Sequence, residues 1–438
     1  MSVNKSKENR YTIENMKYVQ EPNYNIIEAF PSFKINDIRT LSDFKKTIIG
    51  GYLKSQALST LTKSIETEKI ENAVYIGLLL FFSGHINQLW NKLINIAAKN
   101  INIANPNLPV FIMGRHKKWN NLIKSVSIAK SASGTISNSS ISNNFMKLRN
   151  SIELRNYLCE MISYLCLSRK VKLDVIPKIK DSEFEIGNFK KHLEAKDTSY
   201  TKNIIKENDP SEITIACNEF AYHLTKRNTN KSLYWLSWIM TWDKNNIKKY
   251  GKFEVHARHV EGIDSKYSHD IVWLIWETIN VIRNSSMVHS NVNDRVNEQI
   301  DALFKLYCYD FTIGQKGSKL IIIEWAIKYL TNIIDWKIPL LDRKYQLYQI
   351  MSNIEIIIND IKKDEETGNI YKNEGTIYNL NIIDNYMLTQ KHDEITKKIA
   401  DDKKKKDLAA KQKFAKKNKI SMDSLRKLEF MNKFDGFN

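Results

Sequence analysis

The residues best equipped for chemistry lie between Glu254 and Asp270: Glu254, His256, Arg258, His259, Asp264, His269 and Asp270. An imidazole beside a carboxylate can bind a divalent metal or relay a proton. The spacing matches neither an HExxH nor an H-x-E pattern. His256 and His259 would face opposite sides of a strand and one side of a helix. The patch reads as a polar connector between helices. A metal-dependent enzyme built on His256, His259 and His269 is the alternative it leaves open. Gly314 to Lys319 looks like half a phosphate loop, but the GxxxxGK[ST] spacing is absent and no apolar strand precedes it. A helix start capped by Ser318 is the simpler expectation.

Two aromatic stripes could stack nucleobases: Trp235, Trp238 and Trp242, and Trp273 with Trp276. Leu233, Leu236 and Ile239 share the first helix, and Ile271 and Ile275 the second, so core packing is the expectation for both. The strongest electrostatic feature is the run Lys403, Lys404, Lys405, Lys406, Lys411, Lys413, Lys416 and Lys417. Such lysines contact phosphates without reading sequence. Arg115, Lys117 and Lys118 form a second basic cluster. These are the candidate nucleic-acid-binding residues.

Stepping along the chain, the pattern is helical. Ile70, Ala73, Val74, Gly77, Leu78 and Phe81 recur at helical spacing, and Leu79, Leu80 and Phe82 make the opposite face apolar too. That helix should be surrounded. Gly84 stops it, and Ile86, Leu89, Trp90, Leu93, Ile96 and Ala97 mark its antiparallel partner. The apolar run from Val74 to Phe82 is too short to cross a bilayer, which takes about 20 residues. Asp209-Pro210-Ser211-Glu212 announces another helix, with Asp209 as its cap. Further helices are expected at 152–167 and near 231–242, 269–283, 294–308, 318–335 and 342–362. Tyr250 to Val260 alternates as a short strand would. The fold class is therefore all-α with minor β content: a multi-helix body with a flexible basic C-terminal tail. The expected organisation is a loose segment over 1–40, a helical hairpin subdomain over 41–130, a Ser/Asn-rich loop over 131–144, a main helical domain over 145–390 and a basic tail over 391–438.

Composition bounds the function. The 438 residues are 42% hydrophobic, enough for a substantial core, and carry a net charge of +18. That excess suits a polyanionic partner. Cys159, Cys166, Cys217 and Cys308 form no CxxC pair and read as buried thiols of a reducing compartment. The polar start, MSVNKSKENR, does not resemble a secretory signal. No cofactor is implied.

Lys63 to Pro109 resembles the helical segment that follows the ATPase core in replication-associated recombination ATPases, which are relatives of clamp loaders. The shared features are Lys63-Ser64-Ile65, Ala73-Val74-Tyr75, Leu89-Trp90, Ile96-Ala97 and Ile103-Ala104-Asn105-Pro106, over about a tenth of the chain. Lys99-Asn100 stands where that family has acidic residues. No phosphate loop lies upstream of Lys63, so the resemblance carries over no nucleotide-handling residue. A longer stretch, from about 70 to 335, is similar to an uncharacterised helical protein of large nucleocytoplasmic DNA viruses. It is carried by Ser83-Gly84-His85, Leu89-Trp90, Asn105 to Pro109, Asp209-Pro210, Asn218-Glu219-Phe220-Ala221-Tyr222-His223, Tyr234-Trp235 and Asp270 to Trp276. Together with the basic tail and the lack of a catalytic motif, these resemblances lead to the expectation of a non-enzymatic accessory factor of viral DNA replication, recombination or repair. It would bind nucleic acid, DNA first, non-specifically, and would meet replication or virion proteins, or further copies of itself, through helical surfaces. The expected place is the host cytoplasm or viral factory, with packaging in the virion a variant. A virion or factory structural protein is the alternative.

Overall fold

Long apolar periods with few breakers leave the chain one economical way to satisfy its backbone, and among the described residues it takes that way fourteen times. The computed structural model describes residues 33–37, 39–126, 138–171, 176–251, 254–285 and 292–366. Among these the fold is all-α. The single β contact is an isolated bridge between Thr47 and Leu53. The helix α1 (Lys54–Glu66) leads into the hairpin of α2 (Ile70–Phe82) and α3 (Ile86–Asn100), followed by α4 (Leu108–Val126), α5 (Asn138–Arg149) and α6 (Ile152–Leu167). The short α7 (Ile186–Lys191) precedes α8 (Ser211–Thr225), α9 (Thr229–Tyr250), α10 (Ile271–Arg283), α11 (Asp294–Cys308) and α12 (Lys316–Thr331). The described chain ends with α13 (Lys344–Ser352) and α14 (Ile354–Glu366). No described helix is long and apolar enough to cross a membrane.

As its two apolar faces require, α2 is surrounded: every residue from Ile70 to Phe82 except Glu71 is buried. It lies against α1, α6 and α14. Gly84 turns the chain at φ +79°, where a Cβ would strike the side chains of Leu41 and Phe145. The second central helix is α12, packed between α11, α3, α9, α10 and α8. The hairpin thus shares its core with the rest of the body. Trp235, Trp238, Trp273 and Trp276 are all core residues, and Trp242 is half-buried.

Several expectations need correction. Leu41 to Leu53 forms tight turns, and the first helix begins only at Lys54. The N-terminal segment is pinned from Phe33. Asn150 brackets Ile35 through its N–H and carbonyl at 2.9 and 3.0 Å, and Arg155 donates to the Phe33 carbonyl at 2.7 Å. Within the Ser/Asn-rich stretch a helix starts at Asn138, because Phe145 and Leu148 anchor it in the core. Tertiary burial there overrides weak propensity. The single helix expected over 342–362 is two, divided at Asn353. Residues 176–209 hold the short α7 among irregular turns. The described residues of 250–260 form no strand: Tyr250 closes α9, and Gly251 at φ +79° follows it. Downstream, Val255 and Arg258 donate their N–H groups to the His269 and Ser268 carbonyls, whereas side chains take the backbone groups of His256. Asp209 accepts the His256 N–H at 3.0 Å and Arg258 donates to the His256 carbonyl at 2.8 Å.

Candidate nucleic-acid interface

Of the enzyme-like patch, Arg258, Asp264, His269 and Asp270 are held in structural pairings. Arg258 is the hub: it donates to both Asp209 oxygens at 3.0 and 2.7 Å and to Glu277, and Lys206 reaches Glu277 at 3.6 Å. Burial raises the Asp209 carboxyl. The Arg258 pair and the N–H groups of Lys206 and His256 outweigh it, so its pKa ends below the ordinary range. Asp209 therefore anchors the 254–270 connector and does not cap α8, whose N-cap is Pro210. The imidazole of His269 is bonded to the Val255 carbonyl at 2.9 Å, and His259 points to solvent. Asp264 caps the turn at Ser265, and Asp270 caps α10. No group of three His, Cys, Asp or Glu among the described residues could hold a metal ion.

The Gly314–Lys319 cluster has a similar fate. Its helix starts at Lys316, two residues before Ser318, whose hydroxyl donates to the Gln315 carbonyl. Lys316 is bound by Asp243 at 2.7 Å and Asp270 at 3.0 Å. Lys319 is buried and donates to the Tyr309 carbonyl at 2.6 Å and to Asn91 at 3.2 Å. Neither amine faces a phosphate. The four cysteines are free. Burial pushes the thiols of Cys166 and Cys308 up to about 12 and raises those of Cys159 and Cys217 as well, which suppresses thiolate chemistry.

The basic cluster on α4 splits into two roles. Arg115 turns inward and grips Glu160 of α6 with two parallel hydrogen bonds of 2.8 Å. Its guanidinium lies 5.0 Å from the ring centre of Phe111, 4.9 Å from that of Tyr157 and 5.9 Å from that of Tyr164. A bidentate pair between rings fixes the rotation of one helix on another. His116 is buried between Trp90 and Tyr309, at 5.1 and 4.1 Å between ring centres. Burial, helped by the charge of Lys319, brings its pKa down to about 4. With Arg115 and His116 inward, Lys117, Lys118 and Lys124 are exposed. Lys117, Asn121 and Lys124 follow one another at i, i+4 and i+7, along one stripe of α4.

That stripe belongs to a longer feature. Between Glu71 and Glu153 the chain contains no Asp or Glu and nine Lys or Arg. Of these, Arg115 and Arg149 are spent inside the fold and Lys99 reaches Glu66 at 3.4 Å. Lys117, Lys118, Lys124 and Lys147 face solvent. Lys147, missed in the sequence reading, was findable from the acid-free run. The basic tail is a smaller share of the charge than its lysine runs suggest. From residue 391 onward it holds 15 of the 67 Lys and Arg and 8 of the 49 Asp and Glu, so the body carries most of the excess. Lys403, Lys404, Lys405, Lys406, Lys411, Lys413, Lys416 and Lys417 lie outside the described residues.

No family model matches the chain, and no curated protein or solved structure is significantly similar to it. The two resemblances stand on the residues quoted for them. Several of those residues have visible structural work. Glu219 accepts the N–H groups of Glu194 and Ala195 at 2.9 to 3.1 Å, and Asn218 donates to the Asp197 carbonyl at 2.7 Å. Asn105 donates to the Leu340 carbonyl at 2.8 Å, and the Pro106 carbonyl accepts from Tyr329 at 2.7 Å.

Proposed function

We propose that this chain is a nucleic-acid-binding accessory protein that holds phosphates electrostatically and performs no bond-making chemistry of its own. One observation carries the reading: an acid-free stretch between Glu71 and Glu153 folds so that Lys117, Lys118 and Lys124 are exposed on α4. Each phosphate contact releases condensed counterions, so affinity of this kind is steeply salt-dependent and indifferent to sequence. The lysines from Lys403 to Lys417 supply a second set of contacts. The resemblance to clamp-loader relatives and to a helical protein of large DNA viruses supports a place in viral DNA replication, recombination or repair.

The test is a salt titration of DNA affinity, read by fluorescence anisotropy, for the full chain and for a chain ending at residue 390. Affinity should fall linearly on logarithmic axes as salt rises, with a shallower slope for the shortened chain that remains clearly different from zero. An affinity that does not respond to salt, or no binding at low salt, refutes the reading.

A further inference from the structure

We propose that α13 is a stacking platform for unpaired bases, so that the protein holds single-stranded nucleic acid in preference to duplex. The inference rests on the nucleic-acid reading above and adds the class of strand.

The helix α13 has the sequence KYQLYQIMS. Leu347, Ile350 and Met351 turn inward and are buried, and the helix packs on α6. Its outward face carries Tyr345 and Tyr348, 79% and 52% exposed. Three residues apart on a helix, their Cβ atoms are about 5–6 Å from one another. An aromatic ring held open to solvent offers its face to a base, and every base has a π-face to give. In a duplex those faces are covered by neighbouring pairs, so the rings can be used only by a single strand.

The electrostatics fit the same partner. There is no Asp or Glu in α13, and Lys344, Gln346 and Gln349 are exposed beside the tyrosines. The carboxylates that reach its start are already engaged: Asp342 accepts from Arg169 at 2.9 and 2.8 Å, and Glu68 from Arg343 at 2.7 Å. The platform helix and α4 both pack on α6. Tyr164 of α6 meets Phe111 of α4 at a tilt, with 4.7 Å between ring centres, and lies under Arg115. A strand laid on α13 would find Lys344 for a phosphate and the two tyrosines for its bases.

The test compares an oligothymidylate of about 16 nucleotides with a blunt duplex of equal length, using the full chain and its Tyr345→Ala/Tyr348→Ala and Tyr345→Phe/Tyr348→Phe variants. Both variants change exposed rings, and a thermal melt confirms that each is folded. The single strand should bind more tightly than the duplex. The double alanine variant should lose about tenfold or more on the single strand, keep its duplex affinity and keep its salt slope, while the phenylalanine variant binds like the parent. If the alanine variant binds the single strand as the parent does, the platform is wrong and phosphate binding stands. If neither form of DNA binds even at low salt, the nucleic-acid reading itself fails and takes the platform with it.

Discussion

The inward turn of Arg115 fixes where the lysines of α4 point, so breaking its pair with Glu160 is the most exacting perturbation of the proposed interface. The Glu160 side chain is 1% exposed and that of Arg115 11%. In Arg115→Met the Glu160 carboxylate would stay buried without its guanidinium. Removing one partner of a buried pair costs about 3–5 kcal/mol. The rings of Phe111, Tyr157 and Tyr164 also lose a cation, worth roughly 0.5–2 kcal/mol where it is desolvated. Arg115→Met should therefore lower stability by at least about 3 kcal/mol. Arg115→Met/Glu160→Leu, which removes both charges, should recover most of that loss, because apolar replacement of a whole buried pair is often neutral. Urea unfolding followed by tryptophan fluorescence reads all three, and Trp119, 6.5 Å from Tyr157 between ring centres, is a nearby reporter. The coupling between the two positions should exceed about 2 kcal/mol. Additive single losses, or an Arg115→Met variant within about 1 kcal/mol of the parent, would refute the assignment of Arg115 to the α4–α6 seam.

Other consequences follow from the buried groups. His116 has a folded pKa of about 4 against roughly 6.5 in an unfolded chain. Between those values the unfolded state takes up a proton that the folded state refuses, so stability falls with pH across that window, by about 3 kcal/mol in all. In His116→Phe, stability plotted from pH 6.5 to 4 should be flatter by that amount; an unchanged profile would contradict the burial of the ring. Asp209→Ala leaves Arg258 buried beside Glu277 alone and should cost about 3–5 kcal/mol in chemical denaturation; a loss no larger than that of an exposed aspartate would show that the Asp209–Arg258 anchor is not formed. Gly84→Ala meets both a left-handed backbone and the Leu41 and Phe145 side chains, so its melting transition should reflect a loss of about 2 kcal/mol or more. An unchanged midpoint would mean that the α2–α3 turn is loosely packed.

How far the sequence could be read depended on whether one face or many partners set the outcome. The helices α6 and α11 run over the residues their periodicity marks, and the α2–α3 hairpin turns at Gly84, because a repeating apolar face is local information. Asp209 looked like a helix cap by the same local logic. Its real partner, Arg258, is far along the chain, and no spacing rule points to it. The helix from Asn138 was hidden for the same reason: its Ser and Asn residues argue for a loop, and only the burial of Phe145 and Leu148 decides otherwise. For the interface, lysine runs drew attention to the tail, whereas the decisive signal was the absence of acids between Glu71 and Glu153. Which members of that run face outward could not be read from composition, since Arg115 and His116 sit beside Lys117 and Lys118 and turn the other way.

The outward charge of α4 is what the functional reading depends on, and the salt slope of DNA affinity measures it. The variant Lys117→Glu/Lys118→Glu/Lys124→Glu, compared with the parent on duplex DNA, should bind more weakly on every sequence tried. Its slope of log affinity against log salt should be shallower by about 2–3, following the loss of nearly one released counterion per lysine. A slope and affinity equal to the parent's would show that the body of this protein does not touch the phosphates.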